Sequence, residues 1–202
     1  MAITVSATYP ATDTTAGEKE RGTLETLLTF PIKSRDIIVG KLLSVTLSSI
    51  ITGVLSLILA LIAFNIANDT FTIYESAKIT LSAPSIIMSI FVIIVFSLFI
   101  SGLCIAIASM CKSFKEAQSA LTPLTFIALF PGMIAFMVGV KSSTLLSIVP
   151  FLNFSLVFND ISVGIINYLE IFLMFISTII YIVIVIWFIV KSYKSEKILF
   201  ND

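Results

Sequence analysis

SIIMSIFVIIVFSLFISGLCIAIASM, residues 85–110, contains no Asp, Glu, Lys, Arg or His. A helix rising about 1.5 Å per residue needs roughly 20 such residues to cross the hydrocarbon of a bilayer. The stretch therefore predicts a transmembrane helix. Three others accompany it: LLSVTLSSIITGVLSLILALIAF at 42–64, SALTPLTFIALFPGMIAFMVGV at 119–140 and YLEIFLMFISTIIYIVIVIWFIV at 168–190. Only Glu170 interrupts them, close to one end. With 58% of 202 residues hydrophobic and 12% charged, too few polar side chains remain to cover a soluble core of that size. The predicted fold class is all-α, a polytopic transmembrane helix bundle with four spans.

The same composition excludes several chemistries. Twelve Lys and Arg balance twelve Asp and Glu, so no basic field invites nucleic acid. The chain has no His, which removes the usual triads and most metal sets. Cys104 and Cys111 lie seven residues apart in an apolar run. On one helix their Cα atoms would stand about 10 Å apart, beyond disulfide reach. No catalytic residue and no metal ligand is assigned, and an intramembrane hydrolase finds neither paired Asp nor a zinc motif at membrane depth.

Charge placement orients the spans, because Lys and Arg accumulate on the cytoplasmic side. Lys19, Arg21, Lys33, Arg35, Lys41, Lys112, Lys115, Lys191, Lys194 and Lys197 fall on one side, ten of the twelve cations, against Lys78 and Lys141 on the other. The expectation is a multi-pass cell-membrane protein with both termini, the loop 111–118 and a tail at 191–202 in the cytoplasm. Segments 65–84 and 141–167 then face outward. No basic region followed by a short apolar one marks a cleavable signal peptide.

Within the first span Thr46, Ser49, Gly53, Ser56 and Ala60 recur at spacings of three and four, a face on which another helix can approach closely. Pro131 and Gly132 sit near the middle of the third span, where they would kink or loosen it. The outer stretch TLLSIVPFLNFSLVF, 144–158, is too short to cross and carries Pro150 and Asn153. It reads equally as a re-entrant hairpin or as an amphipathic turn on the surface. Asn68 and Asn153 each begin a glycosylation-like triplet.

The long polar stretch, GEKERGTLETLLTFPIKSRDIIVGK, occupies 17–41. Leu24, Leu27 and Leu28 repeat at helical spacing, and Glu18, Arg21 and Glu25 share another face, so 18–29 is expected to be one short amphipathic helix. Pro31 ends it, Ser34 can cap the next helix, and Asp36 sits favourably in its first turn. The acidic residues Glu18, Glu20 and Glu25 outnumber Lys19 and Arg21, unlike a lipid-surface anchor. An apolar stripe beside a mixed-charge rim suits docking to a cytoplasmic partner.

EKERGTLETLLTFPIKSRDIIVGKLL resembles the signature of ABC exporter permeases of the second type, in which an E-x-E-R-G-T-x-E-x-L-L stretch forms the coupling helix seated on the ATPase. By position, the resemblance puts Glu18, Glu20, Arg21, Gly22, Thr23, Glu25 and Leu27 on that helix, within a coupling helix and elbow at 18–36 ahead of a membrane domain at 37–190. PGMIAFMVGV followed by LLSIVPFLNFSLVFNDI is most similar to the sodium-efflux (NatB-like) branch.

The resemblance implies a permease subunit, with ATP and Mg²⁺ bound by a separate cytoplasmic ABC ATPase, since no G-x-x-x-x-G-K-[ST] loop occurs here. It also implies a homodimer or heterodimer of permeases embedded in lipid. Its pattern has two further spans before the coupling helix, so residues 1–17 are expected to be the stub of a preceding membrane helix, and the chain a C-terminal fragment, a split gene product or a truncated form. No ionisable group lies deep in any span; oxygen ligands for a passing cation would come from hydroxyls, carbonyls, Asn153, Asp160 or Glu170. A membrane scaffold without a transport role is the alternative.

Overall fold

The computed structural model describes residues 1–32, 34–70, 82–138, 146–162 and 164–194. They contain helices and turns and no strand. Eight α-helices follow one another: α1 (Ala2–Thr12), α2 (Glu18–Glu20), α3 (Thr23–Thr29), α4 (Ser34–Thr70), α5 (Ala83–Met110), α6 (Phe114–Val138), α7 (Leu152–Ser162) and α8 (Tyr168–Lys194). A π-helical turn, Asp13–Gly17, joins α1 to α2, and a 3₁₀ turn, Leu146–Ile148, precedes α7. Arg35–Ala63, Ala83–Met110, Phe114–Ile134 and Tyr168–Val190 are long and apolar enough to cross a membrane, matching the four spans read from the sequence. Gly139, Val140, the tail beyond residue 194, and 144 and 145 of the 144–158 stretch lie outside the described residues.

α5 is the axis of the bundle. It is hydrophobic all round and touches α1, α4, α6, α7 and α8. Its most apolar window is 61% buried, whereas those of α4, α6 and α8 are 28%, 17% and 22% buried. The outer three leave large apolar side chains exposed, among them Leu47, Ile51, Phe126, Phe130, Ile180 and Trp187. Ser82 caps α5, its hydroxyl accepting from the Ser85 amide at 3.4 Å, with Pro84 in the first turn.

The small-residue face of α4 is an interface. Ser49 is fully buried, Thr46 is 5% exposed, and a Cβ on Gly53 would fall 2.6 Å from Ile93 Cγ2 and 3.0 Å from Ile3 Cδ1. Three helices therefore converge at Gly53, closer than any side chain there would permit. α1 runs parallel to α5: Ile3 and Ile93 meet at that glycine, and Lys19 reaches Ser109, the same offset of 90 residues. Ala7 and Ala11 of α1 and Ser97 and Ser101 of α5 are all fully buried.

The helix expected at 18–29 is two helices. The chain is helical without a break from Ala2 through Glu20, turns at Arg21 and Gly22, and begins again at Thr23. Gly22 has φ +70°, a left-handed conformation that costs an L side chain roughly 1–2 kcal/mol but a glycine very little. The helical spacing of Glu18, Arg21 and Glu25 runs across this break and so concealed it. α3 then ends at Thr29, with Phe30 extended ahead of Pro31, as a residue preceding proline prefers.

Candidate functional site

The polar motif folds into a junction where four helix ends meet. Successive residues on a helix point about 100° apart, so Glu18, Lys19 and Glu20 face three directions. Glu18 pairs through Oε2 with Lys41 Nζ, near the beginning of α4. Lys41 is 7% exposed and also donates to the Thr14 carbonyl in the π turn. Lys19 Nζ donates to the Ser109 carbonyl and, at 3.3 Å, to that of Cys111, at the C-terminal end of α5. Glu20 Oε2 accepts the Phe114 amide at 2.6 Å, at the first turn of α6.

Each contact suits the electrostatics of a helix end. A cation lies against the unsatisfied carbonyls of α5 and a carboxylate against the unsatisfied amides of α6. Burial pushes the Lys19 ammonium below the usual lysine range; nearby Cys111 opposes this, Lys41 adds to it, and Glu116 opposes it. The α6 end is capped twice more, by Ser113 Oγ accepting the Glu116 amide at 3.2 Å and Glu116 Oε2 accepting the Lys112 amide at 2.7 Å. That reciprocal arrangement is a capping box displaced by one residue.

Arg21 faces outward. Its guanidinium reaches back to Asp13, at 2.9 Å to Oδ1 and 3.2 Å to the carbonyl, yet its side chain stays 52% exposed. Gly22 forms the left-handed N-cap of α3, and the Thr23 hydroxyl donates to the Glu18 carbonyl at 3.2 Å, closing the turn. Leu24 is buried in the main core, Leu27 is half-buried, and Glu25 lies in α3 with its side chain outside the described set.

Of the other candidate residues, Pro131 and Gly132 lie on α6, Pro150 in the turn before α7, and Asn153 and Asp160 on α7. Gly132 on α6 faces Ser155 of α7 across 3.9 Å, measured from the position a Cβ would take. Asn153 is fully buried, its Nδ2 donating to Ser177 Oγ of α8 at 3.4 Å and its Oδ1 accepting the Phe154 amide at 2.8 Å. That burial removes it as a glycosylation acceptor. Tyr181 donates its hydroxyl to the Ile148 carbonyl at 2.7 Å. Phe151 and Phe154 meet Phe99, and Phe154 also Phe96, both near the middle of α5. Pro131 is buried within α6, while Pro150 is exposed in the turn before α7.

Sequence reading named the motif but missed its partners Asp13, Lys41, Ser109 and Phe114. Lys41 registered only as an orienting cation. The Ser113-x-x-Glu116 pattern was a legible sign that α6 begins there.

Comparison with known proteins bears on this junction and on the whole chain. The family model described as "ABC-2 family transporter protein" matches residues 1–191. The "ABC transporter permease protein NatB" of Bacillus subtilis (strain 168) is 29% identical over 170 residues, covering 81% of this chain and 42% of the relative. The chain thus spans about two fifths of the length of that relative. No solved structure gives a significant match.

Proposed function

The chain belongs to the ABC-2 transporter family, and from that premise we propose that it is a membrane subunit of an ATP-driven exporter, coupled to a separate ABC ATPase through residues 18–29. The observation that carries this reading is the junction: Glu18, Lys19 and Glu20 tie one short segment to the start of α4, the end of α5 and the start of α6. A push on α3 reaches three membrane helices at once and shifts them as a body, the hinge or shear type of coupling. In this reading Arg21, Glu25 and Leu27 meet the ATPase, while Glu18, Lys19 and Glu20 transmit inward. ATP and Mg²⁺ belong to the ATPase. Two permease chains, identical or not, form the pathway, and both termini of this chain are cytoplasmic.

Na⁺ is the species we assign to export, on the sodium-efflux resemblance around PGMIAFMVGV and LLSIVPFLNFSLVFNDI. The 144–158 stretch acts as a re-entrant hairpin; its support is the contact of Phe151 and Phe154 with the middle of α5.

The test compares Arg21→Ala with Asp13→Ala in the assembled transporter. Both break the same exposed ion pair, worth at most about 1 kcal/mol, so both proteins stay folded. Arg21→Ala should lose ATPase stimulation and transport, and Asp13→Ala should keep them. Equal losses would reduce Arg21 to an internal strut. Failure of a pull-down to recover an ATPase dependent on 18–29 would favour the scaffold reading.

A further inference from the structure

Directly after α3 the chain makes a tight turn of exposed apolar residues. The Ile32 amide donates to the Phe30 carbonyl at 2.7 Å, and Pro31 between them has its φ fixed by its ring. Phe30 and Ile32 are 55% and 50% exposed, so the turn holds two large apolar side chains out from the bundle. Past it, Arg35, Val39, Leu43 and Leu47 recur at every fourth position of α4 and all are exposed, which puts them along one face of that helix. The span Arg35–Ala63 has 29 residues, a rise of about 42 Å, close to the roughly 40–45 Å of a bilayer with its headgroups. With the apolar residues of α4 in the hydrocarbon, Arg35 and the turn before it stand at headgroup level.

We propose that Phe30, Ile32 and Arg35 form a docking surface for anionic phospholipid, the two apolar side chains entering the boundary of the acyl chains and the Arg35 guanidinium meeting a headgroup phosphate. A planar guanidinium matches phosphate oxygens two at a time. Among the described residues Arg35 has no ion pair, and the neighbouring Asp36 diverges from it by about 100° around the helix. The stretch 30–35, FPIKSR, carries two cations and no anion, whereas 18–25 sets three carboxylates against two cations. The surface also continues into the exposed apolar stripe of a membrane-spanning helix, which favours lipid over a protein as its occupant. Anchored in this way, the elbow between α3 and α4 is held at a fixed depth in the bilayer. The proposal needs only that the chain spans a membrane and stands or falls without the ATPase reading.

The experiment places a fluorescent reporter on the turn. Trp187 is the single tryptophan of the chain, so Phe30→Trp in a Trp187→Phe background gives one indole at position 30. The full chain is reconstituted in phosphatidylcholine bilayers, and brominated lipids are added as contact quenchers. The indole should emit as in an apolar medium, and brominated phosphatidylglycerol should quench it in preference to brominated phosphatidylcholine. Arg35→Gln should lower that preference roughly fivefold, the effect of one cation at an anionic surface. Solvent-like emission with no quenching would overturn the proposal and leave the turn to a protein partner. Equal quenching by the two lipids, or a preference that Arg35→Gln leaves unchanged, would overturn it as well. Phe30 and Arg35 are both exposed, so neither change disturbs the core; should Phe30→Trp nonetheless fail to fold, Ile32→Trp carries the same expectations and decides.

Discussion

Replacing Glu18 by Ala takes the carboxylate partner from the Lys41 ammonium, which is 7% exposed and also donates to the Thr14 carbonyl. Breaking a buried ion pair from one side costs about 3–5 kcal/mol. Glu18 is 23% exposed, and Lys41 keeps a carbonyl partner, so the expected loss is smaller, about 2 kcal/mol. The reverse change, Lys41→Met, should cost less, about 1 kcal/mol, since the partly exposed carboxylate can turn to water while the methionine fills the buried stem's place. The double variant removes both charges and should recover most of the loss, giving a coupling energy of about 1–2 kcal/mol between the sites. Denaturant unfolding of the four proteins in mixed micelles, followed by helix content, measures each value. Strictly additive losses, or a larger loss for Lys41→Met than for Glu18→Ala, would refute the claim that this pair pins α2 to α4.

Two further outcomes test the packing. Gly53→Ala places a methyl 2.6 Å from Ile93 and should cost about 1–3 kcal/mol, with Ile93→Ala in the same chain recovering part of it; a neutral Gly53→Ala in the same unfolding assay would deny the three-helix approach. Cys111 is 5% exposed and burial is the first cause that pushes its thiol above the usual range, Glu116 adding and Lys19 opposing. Because the thiolate is the reactive form, maleimide at neutral pH should label Cys111 in a Cys104→Ala background far more slowly in the folded protein than after SDS, and equal rates would show that the α5–α6 turn is open.

The sequence by itself determined the spans, because hydrocarbon thickness demands apolar runs of a length that nothing else in a chain this size explains. It also located the motif at 17–41, the stop at Pro31, and the close-packing face around Gly53, since each rests on local geometry: a missing amide, or a missing Cβ. It could not see the break at Gly22, because the helical spacing of Glu18, Arg21 and Glu25 continues across it and only the backbone angle reveals the turn.

What the tertiary structure alone decided is the division of labour within Glu18-Lys19-Glu20-Arg21. Read linearly, these charges form one docking rim. Folded, the first three are committed to Lys41, Ser109 and Phe114, at sequence separations of 23, 90 and 94 residues, and Arg21 faces outward. The reason is rotational: consecutive helical residues diverge by about 100°, so neighbours in sequence serve different neighbours in space, and the identity of each is set by how the long helices pack.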